Sequence, residues 1–554
     1  MKGGADNDIR PAAPPDSPGS QIASPILHRR LPWVRELPIA VLLSAAVLGF
    51  QITGGAYGAE FGSHPDEAAH YVTGLMVRDY LASGLPGNPM TFAETYYEHY
   101  PKVALGNWPP GFYAIQAAWT LPFSEGRTSL IVLMAILTWA TALVVYCGLR
   151  GALGWQAAVF GALVFVSFGL IQQYASMVMT EMPVALFSTL AMLAFGRWLD
   201  HQRTRDSLLF GLLASLAIMT KGSGFALAFV PPLAILFTGR FALLKRPNLA
   251  YGAVIVLVLA GPWTWAFRDV ARAGWEQPSM TLDYTLRGLV YFPEGVLRSG
   301  SIIITTFGLL GVAWSLRGAW RREMSGLWPA AAALIAGVVV FHALVPASFG
   351  YRHLTQALPS WAMMAAAGTV AVSHWIQVER PALAPLVTVV AAAGLVHTAA
   401  SLPVKHGHGF GPVIEAIVKR PDNARARFLI VSDATGEGMF IAETAMRERR
   451  LGHVIRRGSK LLAEQAWHGG EYTAKVQTVE QMVAVLRQDR IRFVVLDQSN
   501  PSVMEMPHMR LLRHAAESEP GALALVGRYP VVRGYPREVR GQRFATGIAV
   551  YEIR

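Results

Sequence analysis

The sequence predicts an α-helical polytopic membrane protein with an α/β domain at its C-terminal end. Hydrophobic residues make up 53% of the 554 residues and charged residues only 15%, and the mean hydropathy is +0.35. Uncharged apolar segments recur between isolated charges. After about residue 402, short strand patterns alternate with amphipathic helical patterns. This composition excludes an ordinary soluble protein.

The apolar segments indicate about eleven membrane crossings, because each long one holds the ~20 apolar residues that span a hydrocarbon core. Long segments lie at residues 37–59, 128–149, 151–180, 247–267, 299–316, 324–351 and 381–404, and shorter ones at 182–196, 207–220 and 222–239. Lys and Arg collect in alternate short loops, which places those loops and the N-terminus in the cytoplasm. We therefore expect a multi-pass protein of the plasma (inner) membrane whose C-terminal domain is extracytoplasmic or periplasmic.

Composition divides the chain into three parts. Residues 1–34 are rich in Pro, Gly, Ser and Asp with little to bury, which predicts a disordered cytoplasmic tail. Residues 35–402 hold the apolar segments, with an outer loop at 54–127. Residues 403–554 contain the buried-strand patterns RFLIVSD and FVVLD and predict an extracytoplasmic α/β domain.

Net charge and cysteine usage exclude several classes of partner and cofactor. The charge of +12 follows from the basic cytoplasmic loops and a basic C-terminal domain, so it does not indicate nucleic-acid binding. The one cysteine, Cys147, lies in a predicted span, which leaves no disulfide and makes a cysteine-based metal site improbable. His64, His70, His99 and His353 show no metal-ligand spacing. We predict no cofactor, with a divalent metal on dispersed ligands left as an alternative.

An acidic pair, Asp66-Glu67, follows the first apolar segment within GSHPDEAAHYVTG. Pro65 suits the first turn of a helix, where the helix dipole favours negative charge. Adjacent helical side chains point about 100° apart, so one acid can face a cavity while the other holds the loop. A solvated charge pair is the alternative, but this division of roles favours catalysis.

Further charges lie where the outer membrane boundary is predicted. Lys102 belongs to the aromatic stretch YYEHYPKVALGNWPPGFY, which predicts a helix along the outer surface with the lysine at a lipid headgroup. Snorkelling to ordinary phospholipid is the alternative. Glu181 and Lys221 each need a partner in this setting, either one another or, for Lys221, a bound phosphate. Arg352 offers a planar fork to a phosphate or serves as an interfacial anchor.

Together these motifs resemble the C-class (GT-C) integral-membrane glycosyltransferases, especially the bacterial relatives of the protein O-mannosyltransferases and of the lipid A aminoarabinose transferase. The resemblance covers about residues 37–400. Its five motifs, in order, are Asp66-Glu67, the Asn-x-Pro-Pro-x-x-Tyr segment of Asn107, Pro109, Pro110 and Tyr113, MTEMPVALF, IMTKGSGFALAFVPPL and FGYRHLTQALP.

Two positions depart from the family pattern. Trp108 stands where relatives commonly have a lysine, so Lys102 is the candidate for a phosphate contact. The family's Arg-Tyr appears here as Tyr351-Arg352-His353.

The resemblance implies that residues 35–402 form a GT-C-like catalytic domain. It would move a sugar from a polyprenyl-phosphate donor to a hydroxyl of a lipid, glycan or protein acceptor on the outer face, among membrane lipids. Such a transfer needs a base for the acceptor's proton and cations for the leaving phosphate. A single dominant carboxylate favours direct displacement and inversion, because retention by double displacement requires a second one close by.

These requirements assign a role to each candidate residue. Asp66 is the predicted base, and Glu67 supports it by capping or by pairing with a cation such as Lys221 or Arg352. Glu181 is a further candidate catalytic carboxylate, with a structural salt bridge as its alternative. The predicted substrate-binding residues are Lys102, Lys221, Arg352, Tyr351, His99 and Asn107.

A transporter or flippase of a lipid-linked sugar is the rival class, since intramembrane charges and broken helices are common there. Such folds often show two related halves, and no internal repeat is visible in this sequence. An acyl or phosphoethanolamine transferase is a third class, but no nucleophile motif or metal cluster indicates it.

Overall fold

The structure is a computed structural model that describes residues 36–277, 279–464, 472–533 and 542–554. The tail predicted to be disordered, residues 1–34, lies outside the described residues. The described chain consists of a helical bundle followed by the α/β domain.

The bundle is built from apolar helices connected by short loops. The α-helices are α1 (Leu37–Thr53), α2 (Pro65–Ala82), α3 (Pro89–His99), α4 (Gly111–Thr120), α5 (Arg127–Leu153), α6 (Trp155–Ser167), α7 (Gly169–Ala175), α8 (Glu181–His201), α9 (Thr204–Thr220), α10 (Val230–Thr238), α11 (Leu249–Leu259), α12 (Gly261–Ala266), α13 (Arg268–Ala273), α14 (Leu282–Leu297), α15 (Ile302–Trp320), α16 (Leu327–Leu344), α17 (Leu358–Glu379) and α18 (Ala384–Ala400). Segments of 3₁₀ helix lie at Gly222–Phe229, Phe241–Lys245, Tyr351–Gln356 and Pro381–Leu383.

Within the described ranges, five helical segments are long and apolar enough to cross a membrane, which makes this an integral membrane protein. The bent pair α6 and α7, with an angle of 65° between its helices, brings the number to six. Shorter apolar helices lie at Leu37–Thr53, Gly222–Thr238 and Leu249–Leu259. The predicted number of about eleven crossings is therefore not confirmed by helix length.

Contacts between loops show which helix ends lie together at each end of the bundle. At one end of the bundle Arg240 Nη1 donates to the carbonyl of Leu199 at 2.7 Å, and the Gly326 N–H donates to Asp200 Oδ1 at 2.6 Å. At the other end the Lys405 N–H donates to the carbonyl of Gly54 at 2.7 Å. The first end contains basic loops predicted to be cytoplasmic, and the second adjoins the outer loop and the α/β domain.

Which end faces the cytoplasm stays a prediction that protease accessibility can check. Protease added to intact spheroplasts is expected to digest the region after about residue 406, so that a C-terminal epitope disappears from blots. Inside-out vesicles should protect the same epitope. Protection in spheroplasts with cleavage in inside-out vesicles would show that the orientation is inverted.

The α/β domain contains a five-stranded sheet with the strand order β2-β1-β5-β7-β6, in which β1 pairs in parallel with β2 and β5. Its strands are β1 (Arg427–Val431), β2 (Val454–Arg457), β3 (Ala463–Glu464), β4 (Thr473–Ala474), β5 (Ile491–Asp497), β6 (Leu523–Arg533) and β7 (Gln542–Ile553), and its helices are α19 (Phe410–Val413), α20 (Ala434–Arg447), α21 (Gly458–Leu461), α22 (Val479–Gln488), α23 (Pro501–Met504) and α24 (Pro507–Ser518). A π-helical turn at Ile414–Val418 and a 3₁₀ turn at Pro421–Asn423 precede the sheet. The predicted strand patterns RFLIVSD and FVVLD are confirmed as β1 and β5.

The α/β domain packs directly on the outer loop, chiefly through α20 against α2. Met439 of α20 covers Gly62, where a Cβ would lie 2.6 Å from the methionine sulfur; Gly62 also has φ +134°, a conformation that favours glycine. Glu60 accepts hydrogen bonds from the N–H groups of Gly409, Phe410 and Gly411 at 3.1, 3.0 and 2.9 Å. The loop that carries the acidic pair is thus held between the bundle and the α/β domain.

Candidate active site

The acidic pair occupies the first turn of α2, as the sequence predicts. His64 is the N-cap residue, and its Nδ1 lies 3.1 Å from the Asp66 N–H, while Pro65 takes the first helical position. Both carboxylates therefore lie at the positive end of the helix dipole.

Asp66 forms an ion pair with Arg352, with 2.7 Å between Oδ2 and Nη1. Their side chains are 20% and 18% exposed, so the pair remains open to solvent or ligand. Burial opposes ionisation of Asp66, but the positive charge of Arg352 beside it holds its pKa well below the usual value. Asp66 is therefore ionised, as a base must be.

His64 lies between the two partners. Its Nε2 is 3.0 Å from Arg352 Nη1, while its Nδ1 faces the Asp66 N–H. Burial and the charge of Arg352 lower the pKa of His64 to about 4, so its ring is neutral. Since a neutral imidazole accepts through one nitrogen alone, only one of these contacts is a hydrogen bond. Among described atoms, Nε and Nη2 of Arg352 have no hydrogen-bond partner and are available to a ligand.

A second ion pair, Glu181 with Lys221, has 2.8 Å between Oε1 and Nζ. Glu181 begins α8 and is fully buried. Lys221 is the residue after the end of α9, and its side chain is 10% exposed. The charge of Glu181 acts on Arg352, and that of Lys221 acts on His64, so the two ion pairs belong to one cluster. Gly222, the next residue in the chain, is exposed, and a Cβ built on it would meet nothing within 4 Å.

Glu67 pairs with a cation, as predicted, but the expected partners Lys221 and Arg352 are wrong. Its partner is Lys405 of the α/β domain, with 2.7 Å between Oε1 and Nζ and side-chain exposures of 0% and 2%. Glu67 Oε2 accepts from the N–H groups of Gly62 and Ser63 at 3.1 and 3.2 Å. Both oxygens are engaged, which gives Glu67 the supporting position predicted for it.

Lys102 does not lie on a helix, so that expectation is wrong, and its contact with a lipid headgroup stays a prediction. It falls between α3 and α4, is 9% exposed, and donates to the carbonyl of Ala434 at 3.0 Å. Burial and the charge of Arg457 lower the pKa of Lys102 to about 7. The α/β domain closes over this lysine because Gly438 leaves room for it: a Cβ there would lie 3.2 Å from Nζ. A role for Lys102 in substrate binding stays a prediction.

The three remaining predicted substrate-binding residues lie in different surroundings. Tyr351 stacks on Tyr291 with 4.5 Å between ring centres, next to Arg352 in the chain. His99 Nδ1 lies 3.2 Å from the carbonyl of His453 in the α/β domain. Asn107 is exposed in the loop before α4. Their roles in binding stay predictions.

His70 is a site residue that the sequence reasoning considered only as a metal ligand. It follows Asp66 by four residues and so shares its face of α2. Its Nδ1 lies 3.1 Å from Tyr113 Oη, and its ring lies 4.5 Å from that of Trp108. Two signals in the sequence could have linked His70 to the site: its spacing of four residues from Asp66, and Tyr113, the tyrosine of the Asn-x-Pro-Pro-x-x-Tyr segment.

Among the residues the structure describes, no three His, Cys, Asp or Glu side chains form a group that could hold a metal ion. Metal independence stays a prediction.

An apolar helical bundle with acidic and basic pairs at one end, covered by an α/β domain, defines the class: a membrane protein with the fold of the GT-C glycosyltransferases. The comparisons with known proteins agree. A family model described as dolichyl-phosphate-mannose-protein mannosyltransferase matches residues 107–265. No curated protein sequence matches the chain.

Solved structures show the same architecture over nearly the whole chain. ArnT from Cupriavidus metallidurans bound to undecaprenyl phosphate matches with a TM-score of 0.57 at 13% identity, covering 94% of this chain and 97% of that chain. AglB, an archaeal oligosaccharyltransferase from Archaeoglobus fulgidus in complex with an inhibitory peptide and a dolichol-phosphate, matches with a TM-score of 0.56 at 14% identity, covering 91% and 74%. The predicted resemblance to GT-C glycosyltransferases is confirmed.

Proposed function

We propose that the protein transfers a sugar from a polyprenyl-phosphate donor to a hydroxyl of a lipid, glycan or protein acceptor on the outer face of the plasma membrane, with inversion. The observation that carries this proposal is the cluster of Asp66 with Arg352 and Glu181 with Lys221. It combines an ionised carboxylate with two cations. The α/β domain packs on α2, the helix that carries Asp66.

The similar structures support a lipid phosphate as the donor. ArnT from Cupriavidus metallidurans was solved with undecaprenyl phosphate, and AglB from Archaeoglobus fulgidus with a dolichol-phosphate. Arg352 and Lys221 are the two cations of the cluster here. A planar guanidinium with two unpartnered nitrogens suits a phosphate group.

In the proposed reaction, the acceptor oxygen forms a bond to the anomeric carbon as the bond from that carbon to the phosphate oxygen breaks. Asp66 takes the proton of the acceptor hydroxyl, and the phosphate keeps the bonding electron pair. Arg352 and Lys221 stabilise the resulting negative charge. The side chains of Glu67 and Glu181 are fully buried, whereas that of Asp66 is 20% exposed, which leaves Asp66 as the accessible carboxylate for a single displacement and hence for inversion.

The ion pair of Asp66 with Arg352 also suggests how donor binding prepares the base. Paired with Arg352, Asp66 has a low pKa and therefore accepts a proton weakly. A donor phosphate that draws the guanidinium toward itself raises the pKa of Asp66. The base thus becomes stronger only when the leaving group is in place.

Sugar transfer in detergent separates this function from the rival transporter or flippase. Purified protein would be incubated with a lipid extract containing polyprenyl-phosphate sugars and with a membrane extract as acceptor. Mass spectrometry should detect sugar-free polyprenyl phosphate and a glycosylated product without any gradient. Movement of intact donor across proteoliposome membranes, with no release of sugar-free lipid, would instead support transport.

The phosphate contact of Arg352 gives a separate prediction. Arg352→Lys keeps the charge but loses the planar fork, so the affinity for undecaprenyl phosphate and kcat/KM are both expected to fall about 10- to 100-fold. Binding would be measured by native mass spectrometry or microscale thermophoresis. The matched control is Arg298→Lys, because Arg298 is exposed and pairs only with Glu294 on α14 among described residues. Unchanged affinity in Arg352→Lys would remove Arg352 from the phosphate site.

A further inference from the structure

Within the described residues, four buried side chains near Arg352 in the chain carry polar atoms without a hydrogen-bond partner. They are His342 at the end of α16, His353 and Gln356 in the 3₁₀ segment Tyr351–Gln356, and Ser360 in the first turn of α17. All four are more than nine-tenths buried. We call them the neutral polar group.

These side chains are neighbours by helix geometry and by direct contact. His353, Gln356 and Ser360 are spaced by three and then four residues, which places them on one side of consecutive helical turns. The His342 ring stacks on the His353 ring with 4.5 Å between centres. The neutral polar group therefore forms one row, with α16 against one end of it.

The row is short of hydrogen-bond partners. Within the described part of the chain, six of its polar atoms have none: both ring nitrogens of His342, Nδ1 of His353, both amide atoms of Gln356 and Oγ of Ser360. His353 Nε2 does have a partner, since it lies 3.0 Å from Ser348 Oγ. Buried polar groups in native proteins are nearly always satisfied, and each one left unpaired destabilises the fold. So many in one place point to a polar partner that the described residues do not themselves supply.

The chemistry of the row matches a neutral, hydroxyl-bearing group. Imidazole, amide and hydroxyl groups both donate and accept hydrogen bonds. Burial, with His342, Lys221 and Arg352 nearby, keeps the pKa of His353 well below its usual value, so this ring is uncharged. An anion would prefer the adjacent cations, and both Lys221 and Arg352 are near enough for their charges to act on His342 and His353. The two cations therefore suit the charged part of a ligand, and the row suits its neutral part.

We infer that the neutral polar group binds the sugar of the lipid-linked donor, and that it sets which sugar is accepted. This inference rests on the proposed function and deepens it. A sugar linked to phosphate places its hydroxyls directly beside the phosphate, and the row begins at His353, the residue after Arg352 in the chain. Discrimination by hydrogen bonding to a hydroxyl is strong, because a missing hydroxyl leaves buried groups unpaired.

The test uses Gln356→Met, which keeps the size of the side chain and removes two unpartnered atoms, and the smaller change Ser360→Ala. The matched control is Ser315→Ala, a fully buried serine of α15 that donates to the carbonyl of Val312. Three quantities are compared in full-length protein in detergent: the Tm, the affinity for sugar-free undecaprenyl phosphate, and kcat/KM with a donor lipid extract. Native mass spectrometry of co-purified lipid gives the ratio of sugar-charged to sugar-free carrier independently of activity.

Gln356→Met is expected to raise the Tm, because a destabilising functional group is removed. It should leave the affinity for undecaprenyl phosphate unchanged and lower kcat/KM for the donor about 10- to 100-fold. Gln356→Met should also lower the ratio of sugar-charged to sugar-free carrier in the co-purified lipid. Ser360→Ala should lower this ratio by a smaller amount, and Ser315→Ala should leave it unchanged.

A lowered Tm with unchanged kcat/KM would overturn the inference, since it would show that buried water satisfies the row structurally. An equal loss of affinity for sugar-free and sugar-charged carrier would also overturn it. Wild-type protein that binds neither carrier would show that the proposed function itself has failed.

Discussion

Asp66→Asn is expected to lower the rate of sugar transfer by about 10²- to 10⁴-fold, the range that a positioned general base typically contributes. Asparagine keeps the shape of the side chain but cannot take the acceptor's proton. Single-turnover kinetics with donor bound to the enzyme would measure the chemical step directly. Donor affinity should change little, because Arg352 and Lys221 are still present.

The matched control is Asp283→Asn, since Asp283 is a 75% exposed carboxylate that pairs with Arg287 on α14. Its transfer rate should equal that of the wild type. Because the neutral amide in Asp66→Asn no longer holds Arg352 by charge, the Tm must be recorded to separate catalysis from folding. Wild-type turnover by a folded Asp66→Asn enzyme, with chemistry rate-limiting, would move the search for the base to Glu181.

Lys405→Met is expected to destabilise the protein by about 3 to 5 kcal/mol, because it leaves the buried carboxylate of Glu67 without its cation. The lower part of that range applies here, since three backbone N–H groups, those of Gly62, Ser63 and Val178, still donate to Glu67. The loss would be measured as a fall in Tm and in the denaturant midpoint in detergent.

Two comparisons show whether this loss comes from the unpaired charge. Glu67→Gln combined with Lys405→Met should recover most of the stability, because neither buried group then carries a charge. Lys419→Met removes a 40% exposed lysine paired with Glu415 and should change stability by less than about 0.5 kcal/mol. A double variant no more stable than Lys405→Met alone would mean that the methionine disturbs packing instead.

Local patterns were sufficient to predict much of the fold. Pro65 and the two acids predicted the start of α2, and apolar runs flanked by charge predicted β1 and β5. Both predictions depend on a few neighbouring residues. The number of crossings did not follow from the same signals, because the bundle uses bent and short helices such as α6, α7 and α10.

The pairing of charges was harder to predict, because it depends on tertiary structure. Lys221 was expected to bind Glu181 or a phosphate, because an ammonium in a membrane needs a partner of opposite charge. Lys405 lies in SLPVKHGHG, where no motif marks it, 338 residues from its partner Glu67. The burial of Lys102 depends on the closure of the α/β domain. The unpaired state of Gln356 depends on every neighbour around it.

The ion pair of Glu67 with Lys405 also has a consequence for how the chain is made. At a synthesis rate of ~5–20 residues per second, the 338 residues between the two charges separate their appearance at the ribosome by roughly 20 to 70 s. During that interval the turn before α2 lacks both its ammonium counter-ion and the cover of Met439. Membrane insertion of α18 must come first, so a nascent chain carries Asp66 long before it carries an assembled site. The turn before α2 therefore reaches its final packing only after the chain has been made as far as the α/β domain.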